Sequence, residues 1–230
     1  MVDVGANYRS IVERIASAAA KAGRRAADIK LLAAAKSQPV DAIRAALAAG
    51  VTLVGENYVQ EAEEKKRQLA DTKAEWHMIG HLQRNKAKLA LQLFDVIESL
   101  DNFALARELD KEAAKQDRIA RTFIEVNLAG EESKTGIAKG EVVGLLEQIS
   151  SLTHVRIEGL MTVPPFRENL EAVRPYFREL RELRDELDSL HLQNVELREL
   201  SMGMTHDFTV AIEEGASIVR VGTALFGPRG

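Results

Sequence analysis

Residues 30–56, KLLAAAKSQPVDAIRAALAAGVTLVGE, contain the pattern that decides the fold. A largely apolar run at 30–35 precedes a polar turn, apolar positions recur at helical spacing over 40–49, and a second apolar run follows at 52–55. A strand, a helix and a second strand in this order form a crossover unit, which places the two strands parallel in one sheet. The stretch therefore predicts an α/β protein with a parallel sheet.

The same alternation continues to the end of the chain. We predict strands at 30–35, 52–55, 76–80, 96–99, 121–127, 156–162, 199–202 and 217–222. We predict helices between them at 40–49, 59–69, 85–93, 102–116, 139–152, 170–190 and 206–214. An additional amphipathic helix over 7–22 precedes the first strand. About eight such units close most naturally into a (β/α)8 TIM barrel.

An open doubly wound sheet is the competing arrangement. The first strand-to-helix turn lacks the G-x-G-x-x-G pattern of a dinucleotide-binding fold, and about eight units exceed its usual six strands. No linker or low-complexity tract interrupts the sequence. We therefore expect residues 1–230 to form a single barrel domain.

Composition narrows the function classes. The net charge of −4 comes from 31 basic and 35 acidic residues that are mixed along the chain, so we expect no nucleic-acid partner. With zero cysteines, thiolate nucleophiles, iron–sulfur clusters and thiolate zinc sites are excluded, and no histidine spacing is typical of a metal site. The amino terminus lacks a signal-peptide pattern and no apolar run could span a bilayer, so we expect a cytoplasmic protein without membrane contact.

Lys36 directly follows the first apolar run and precedes the turn Ser37-Gln38-Pro39. In a barrel, the carboxyl ends of the strands carry the active site, so this amine should stand at the mouth. A desolvated lysine loses its proton readily and forms Schiff bases with aldehydes. The alternative is a strand-end lysine that only extends its amine to solvent.

Two loops late in the chain combine glycines and hydroxyls. Ser201, Gly203 and Thr205 lie in one predicted loop that runs into a helix, and Gly222 and Thr223 follow the last strand. Barrels of this kind commonly hold phosphate after strands seven and eight. Each loop alone is an ordinary turn, but a phosphate site opposite a reactive lysine suits pyridoxal 5′-phosphate (PLP), a phosphorylated aldehyde.

Arg220 stands between Val219 and Val221 in an apolar strand, so its guanidinium needs a partner. A ligand pyridine nitrogen and an acidic neighbour are both compatible with this position. Further polar or polarisable residues lie at or just after the ends of other predicted strands: Glu56, Asn57, His81, Asn127, Met161 and Thr162.

These residues lie in segments that resemble a known family, the pyridoxal phosphate homeostasis proteins or YggS/PROSC-like group, over nearly the whole chain. The most specific segments are AAAKSQP around Lys36, GENYVQE (55–61), WHMIGHLQRNK (76–86), ESKTGI (132–137), GLMTV (159–163), LSMGMTHDF (200–208) and IVRVGTALFG (218–227). The resemblance implies a barrel similar to the alanine racemase barrel domain, PLP fold type III. Gln38 and Thr205 depart from the commoner residues of the family, but a threonine hydroxyl donates as serine does.

The resemblance also implies the roles of individual residues. Lys36 would form the internal aldimine with PLP, and Arg220 would face the pyridine nitrogen. The remaining cofactor-binding residues would be Asn57, His81 and Met161 around the ring, and Ser201, Gly203, Thr205, Gly222 and Thr223 around the phosphate. Lys134, in the loop after the fifth strand, is a further amine that could form a transient second Schiff base.

The function that the resemblance implies is PLP homeostasis, in which a monomer buffers or delivers the cofactor with little or no catalysis. PLP-dependent apoenzymes or a regulatory protein would be its partners. We assign no catalytic residue, because racemisation needs a second acid/base that the racemase takes from an additional β-domain. Two alternatives stay open at this point: a PLP-dependent amino-acid racemase, and an aldolase or lyase that uses Lys36 on a sugar phosphate directly.

Overall fold

The computed structural model describes residues 2–130 and 135–228. Eight parallel strands form a closed barrel: β1 (Lys30–Ala34), β2 (Leu53–Glu56), β3 (Glu75–Met78), β4 (Val96–Leu100), β5 (Ala120–Asn127), β7 (Val155–Met161), β8 (Val195–Met204) and β9 (Ile218–Val221). Each strand pairs with the next along the chain, and β9 pairs with β1 to close the ring. The (β/α)8 prediction is confirmed, and the open sheet is excluded because this sheet has no free edge within the ring.

Helices surround the barrel. They are α1 (Val4–Lys21), α2 (Val40–Ala49), α3 (Val59–Gln68), α4 (Ala87–Leu93), α5 (Phe103–Lys115), α6 (Val142–Ile149), α7 (Arg174–Asp188), α8 (Phe208–Glu213) and α9 (Thr223–Phe226). The predicted additional helix is α1, whose first turn is capped by the Asp3 side chain accepting from the Ala6 amide. It packs against α2, α8 and α9 with a buried face that includes Ile11 and Ile15. None of the helices within the described ranges has the length and apolar character needed to cross a bilayer.

Three elements differ from the prediction. The short strand β6 (Ile137–Ala138) pairs with β5 outside the ring, and α9 follows β9. Both are too short to show a periodic pattern. In addition, β8 continues to Met204, so the interpretation of 201–204 as a loop is wrong: the strand holds a register shift between Ser201 and Met204 instead. Such a bulge lets a strand bend near a functional site.

Alternate residues of each strand face the barrel interior. In β1 these are Lys30, Leu32 and Ala34, so the same periodicity aims Lys36 into the mouth. Apolar interior residues pack in one cluster: Leu32, Leu53, Val96, Phe123, Met161, Ile218 and the partly buried Ile79. Polar side chains from the same strands also face the interior, and they determine the chemistry of the functional site.

Candidate functional site

The mouth of the barrel brings Lys36 next to an aromatic ring. Lys36 is half-buried and lies two residues beyond the end of β1. Its Nζ is 5.3 Å from the centroid of the Tyr58 ring, a cation–π distance, and Tyr58 is the residue before α3. Among the described residues, Lys36 makes no hydrogen bond or ion pair, so its amine is available to a ligand at the mouth.

The turn that carries Lys36 is held from both sides by α3. Ser37 adopts a left-handed backbone conformation with φ of 60°, which is strained for a residue with a side chain. Its amide donates to Glu61 Oε2 at 3.2 Å, and Lys65 Nζ donates to the carbonyl of Ala35 at 2.9 Å. Hydrogen bonds to the residues before and after Lys36 therefore fix where its side chain leaves the backbone.

Lys65 also forms a buried ion pair. Its Nζ lies 2.6 Å from Glu56 Oε1 and 3.3 Å from Glu61 Oε2. Glu56 is fully buried, and its Oε2 has no partner among the described residues. Burial raises the pKa of Glu56, and Lys65 opposes that rise. Sequence reasoning noted Glu56 but missed Lys65, because a lysine within the charged segment EAEEKKRQ resembles a solvated helix face.

The residues predicted to surround phosphate lie after β8 and β9. Thr205 Oγ1 accepts a hydrogen bond from the Ala224 amide at 3.3 Å, which joins the two segments. Gly222 follows β9, and a Cβ there would lie 3.4 Å from the Ala34 carbonyl, close to the Lys36 turn. Thr223 is exposed. The structure therefore brings Thr205, Gly222 and Thr223 to the side of the mouth next to Lys36.

Two details of the predicted phosphate segment need correction. The Ser201 hydroxyl is completely buried and donates to Glu98 Oε2 at 2.5 Å, so it is not offered to the mouth. The start of α8 carries the buried carboxylate of Asp207, whose Oδ1 accepts from the Met204 amide at 2.6 Å. Because the Asp207 carboxylate already interacts with the backbone next to α8, the start of this helix does not offer a phosphate the favourable electrostatic interaction that we expected.

Arg220 points into the barrel and is buried. Its Nη1 donates to the Ser201 carbonyl at 2.6 Å and to Ser201 Oγ at 2.8 Å, and Nη2 donates to the Thr162 carbonyl at 2.7 Å. Burial lowers the pKa of Arg220, and nearby Glu98, Glu125 and Asp207 oppose that. No carboxylate among the described residues lies within 4 Å, so the alternative of an acidic neighbour in direct contact is not observed, and carbonyl and hydroxyl oxygens are the partners instead.

A second group of predicted residues lines a cavity of about 330 Å³ on the other side of the mouth. Asn57 and His81 are on its wall, and the backbone of Asn57 packs closely on Gly80, where a Cβ would lie 2.5 Å from the Asn57 carbonyl. His81 is exposed and lies 3.8 Å from Asp101. Met161 is buried in the interior apolar cluster at the end of β7, one strand from Ser201.

Sequence reasoning missed Glu125, which also lines this cavity. Glu125 is on β5, four strands from β1 and thus opposite Lys36 across the eight-stranded ring. Its Oε1 accepts from the Thr135 hydroxyl at 2.6 Å, and burial raises the pKa of its carboxyl. A carboxylate within the apolar strand RTFIEVN was the signal that could have identified it. Lys134 lies outside the described residues, so its role stays a prediction.

Below the mouth, His77 on β3 is sandwiched between two carboxylates. Its Nδ1 lies 2.6 Å from Glu98 Oε1, and its Nε2 lies 3.6 Å from Glu75 Oε1, an ion-pair distance that is too long for a hydrogen bond. Burial alone would lower the pKa of His77, but Glu75 and Glu98 outweigh it and raise that pKa to about 9. His77 is therefore an imidazolium at neutral pH.

The raised pKa of His77 predicts a pH dependence of stability. In the unfolded chain a histidine titrates near its ordinary value of 6.5, so the stabilisation is fully present below that pH and is lost as the pH rises through 9. We expect the free energy of unfolding to fall by about 3 kcal/mol between pH 6.5 and 9 from this group. Urea unfolding at several pH values measures the slope, and a His77→Gln variant with the same slope would contradict the assignment.

Comparison with known proteins gives consistent matches over the whole barrel. Residues 7–230 match the family model of the alanine racemase N-terminal domain. A pyridoxal phosphate homeostasis protein of Aquifex aeolicus is 49% identical over 219 residues, covering 95% of each chain.

Solved structures match as well. The structure of PipY from Synechococcus elongatus with PLP bound is 37% identical, with a TM-score of 0.82, covering 94% of this chain and all of that one (100%). An alanine racemase of Clostridium difficile has a TM-score of 0.76 at 13% identity and is covered over 57% of its length, which shows the common fold only.

Proposed function

Since this chain belongs to the alanine racemase N-terminal domain family and, within it, to the pyridoxal phosphate homeostasis proteins, we propose that it binds PLP at the barrel mouth and buffers or delivers this cofactor. The observation that carries the proposal is the amine of Lys36, which has no hydrogen bond or ion pair to the described residues. It stands on a turn held by hydrogen bonds from α3, at the same side of the mouth as Thr205, Gly222 and Thr223. A phosphorylated aldehyde requires a primary amine to react with the aldehyde and hydroxyl or backbone donors to bind the phosphate, and this side of the mouth has both.

The residues present fit the cofactor in kind. Lys36 would hold it covalently through its amine, and Thr205, Gly222 and Thr223 would bind its phosphate. Asn57, His81 and Met161 would line the ring and Arg220 would face the ring nitrogen, while Gly203 keeps the bulged strand close to α8. When bound, PLP supplies an aldehyde and an electron-withdrawing ring. A guanidinium opposite the ring nitrogen would keep that nitrogen unprotonated and so weaken electron withdrawal, which would favour storage over catalysis.

The relatives are named for homeostasis and not for a reaction, which supports a binding role. We propose that the chain acts as a monomeric single domain in the cytoplasm and passes PLP to dependent apoenzymes. The alanine racemase is only 13% identical and shares no more than the fold with this chain. A shared fold does not imply a shared reaction, so it gives no support to racemase activity.

The test is the visible absorption spectrum of purified protein with added PLP. We expect a band of covalently bound cofactor, at least tenfold weaker after Lys36→Ala. Lys30→Ala is the matched control, because Lys30 lies on the same strand at the opposite end and pairs with Glu199 at 2.6 Å. It should keep the band.

Two outcomes would contradict the proposal. A protein that takes up no PLP would remove the cofactor assignment. Rapid loss of optical rotation from a pure amino-acid enantiomer by the loaded protein would replace storage with catalysis.

A further inference from the structure

The interior of the barrel holds a continuous series of polar side chains, which we call the polar column: Arg220, Ser201, Glu98, His77 and Glu75. The four from Arg220 to His77 are at most 4% exposed, although barrel interiors are usually filled by branched apolar residues. The column begins at Arg220 near the mouth and ends at Glu75, which pairs with the exposed Arg121 at 2.9 Å at the opposite end of the barrel. Buried charges are costly unless they are paired, so this arrangement calls for an explanation beyond packing.

The hydrogen bonds along the column have only one consistent direction. Ser201 has a single hydroxyl proton, and at 2.5 Å from Glu98 Oε2 it donates to that carboxylate. Its oxygen is then left to accept from Arg220 Nη1 at 2.8 Å. Glu98 in turn keeps its other oxygen 2.6 Å from the His77 imidazolium. The orientation of the hydroxyl that Arg220 contacts is therefore set by Glu98.

Arg220 depends on this hydroxyl for its orientation. One of its terminal nitrogens contacts Ser201 twice and the other contacts the Thr162 carbonyl, so the plane of the guanidinium is defined by oxygens from β8 and the end of β7. No carboxylate of the described residues is within 4 Å of the guanidinium, and Glu98, Glu125 and Asp207 are the acidic groups that favour its charged form. Of these three, Glu98 is linked to Arg220 by hydrogen bonds through the Ser201 hydroxyl.

We propose that Ser201 and Glu98 are positioning residues that hold the Arg220 guanidinium, charged and correctly oriented, at the ring nitrogen of the cofactor. This inference rests on the proposed function, since it assigns a role within that same site. Ser201 thereby acts one layer below the mouth, and its contribution to PLP binding passes through Arg220.

The test is PLP titration of Ser201→Ala, followed by the absorption spectrum and by the pH at which the band of bound cofactor titrates. We expect an affinity weaker by about ten- to a hundredfold, the effect of one hydrogen bond to a charged group, and a displaced pH midpoint. Ser99→Ala is the matched control. Ser99 is also completely buried, lies next to Glu98, and its hydroxyl has no partner among the described residues. It should leave both quantities within twofold of the original chain.

A double-mutant cycle separates positioning from a general structural effect. Ser201→Ala should have little further effect in an Arg220→Lys background, because the group it positions is gone. An equal effect in both backgrounds, or an affinity and pH midpoint unchanged by Ser201→Ala, would overturn the proposal. If the original chain itself bound no PLP, the proposed function would fail instead, so the two failures are distinguishable.

Glu98→Gln tests the same proposal with the same two measurements. With the carboxylate neutralised, we expect the pH midpoint to move in the same direction as in Ser201→Ala.

Discussion

Replacing Lys65 with methionine should lower the free energy of unfolding by about 3–5 kcal/mol, the usual effect of leaving one partner of a buried ion pair unpaired. Lys65 is the only cation among the described residues within 4 Å of Glu56, which is completely buried. Methionine fills a similar volume, so the loss comes from charge and not from a cavity. Urea unfolding at neutral pH measures it.

Two variants control this experiment. Lys66→Met removes the neighbouring lysine, which is half-buried but donates to the Leu93 carbonyl at 2.5 Å and not to a carboxylate, so we expect a loss of about 1 kcal/mol. Adding Glu56→Gln to Lys65→Met should recover much of the stability because no unpaired charge is left. If Lys65→Met is no more destabilising than Lys66→Met, the buried pair is not ionised.

The same variant has a pH signature. Without Lys65, burial and the neighbouring Glu61 raise the pKa of the Glu56 carboxyl further, and only the Asn57 backbone still opposes them. The group then takes up a proton as the pH falls, and the neutral form is less costly to bury. The destabilisation by Lys65→Met should therefore become smaller at mildly acidic pH. PLP uptake by this variant should also be weaker, because Lys65 holds the carbonyl before Lys36.

Substituting Gly203 by alanine should cost about 2–5 kcal/mol of stability and greatly weaken PLP binding. Gly203 has φ of 89°, a conformation that disfavours any side chain by about 1–2 kcal/mol. A Cβ there would also lie 2.5 Å from the Ala211 Cβ and 2.9 Å from the Phe208 Cα, so α8 must move, which adds about 1–3 kcal/mol. Displacement of α8 would shift the segment that carries Thr205. Thermal unfolding and PLP titration measure the two effects.

Gly23→Ala is the matched control for Gly203→Ala. Gly23 also has a left-handed backbone, with φ of 65°, but no atom lies within 4 Å of the position that a Cβ would take. Gly23→Ala should therefore lower the free energy of unfolding only by the cost of the left-handed backbone, about 1–2 kcal/mol, and leave the PLP affinity unchanged. Equal effects at the two glycines would mean that the contact with α8 is unimportant.

Local patterns were sufficient for most of the fold. The eight barrel strands and the helices between them were predictable because each element carries its own apolar periodicity, and parallel strands linked by helices have few ways to pack. The element α9 was missed since four residues are too few for a periodic signal. The strand β8 was predicted four residues too short at its start, and its bulged end was interpreted as a loop because Gly203 is typical of a turn.

The site was predictable where chemistry coincides with a strand end. Lys36, Asn57, Gly222 and Thr223 could be placed at the mouth because the carboxyl ends of barrel strands converge there. The partners of Lys65 and Glu98 could not be predicted, because a charged residue on a helix or in a strand does not show in sequence which distant group it meets. Glu98 and Ser201 are 103 positions apart in the chain, and only closure of the barrel brings them into contact.

By itself the sequence therefore determined the barrel, the strand ends that form its mouth and the family, because these depend on local periodicity and on motifs of a few adjacent residues. Tertiary structure alone decided which charges are buried and which groups they contact. It directs the Ser201 hydroxyl into the barrel, gives Arg220 carbonyl oxygens as partners, and pairs Lys65 with Glu56. The physical reason is that burial and hydrogen bonding depend on distances between strands that are far apart in the chain, and these distances exist only after the sheet has closed.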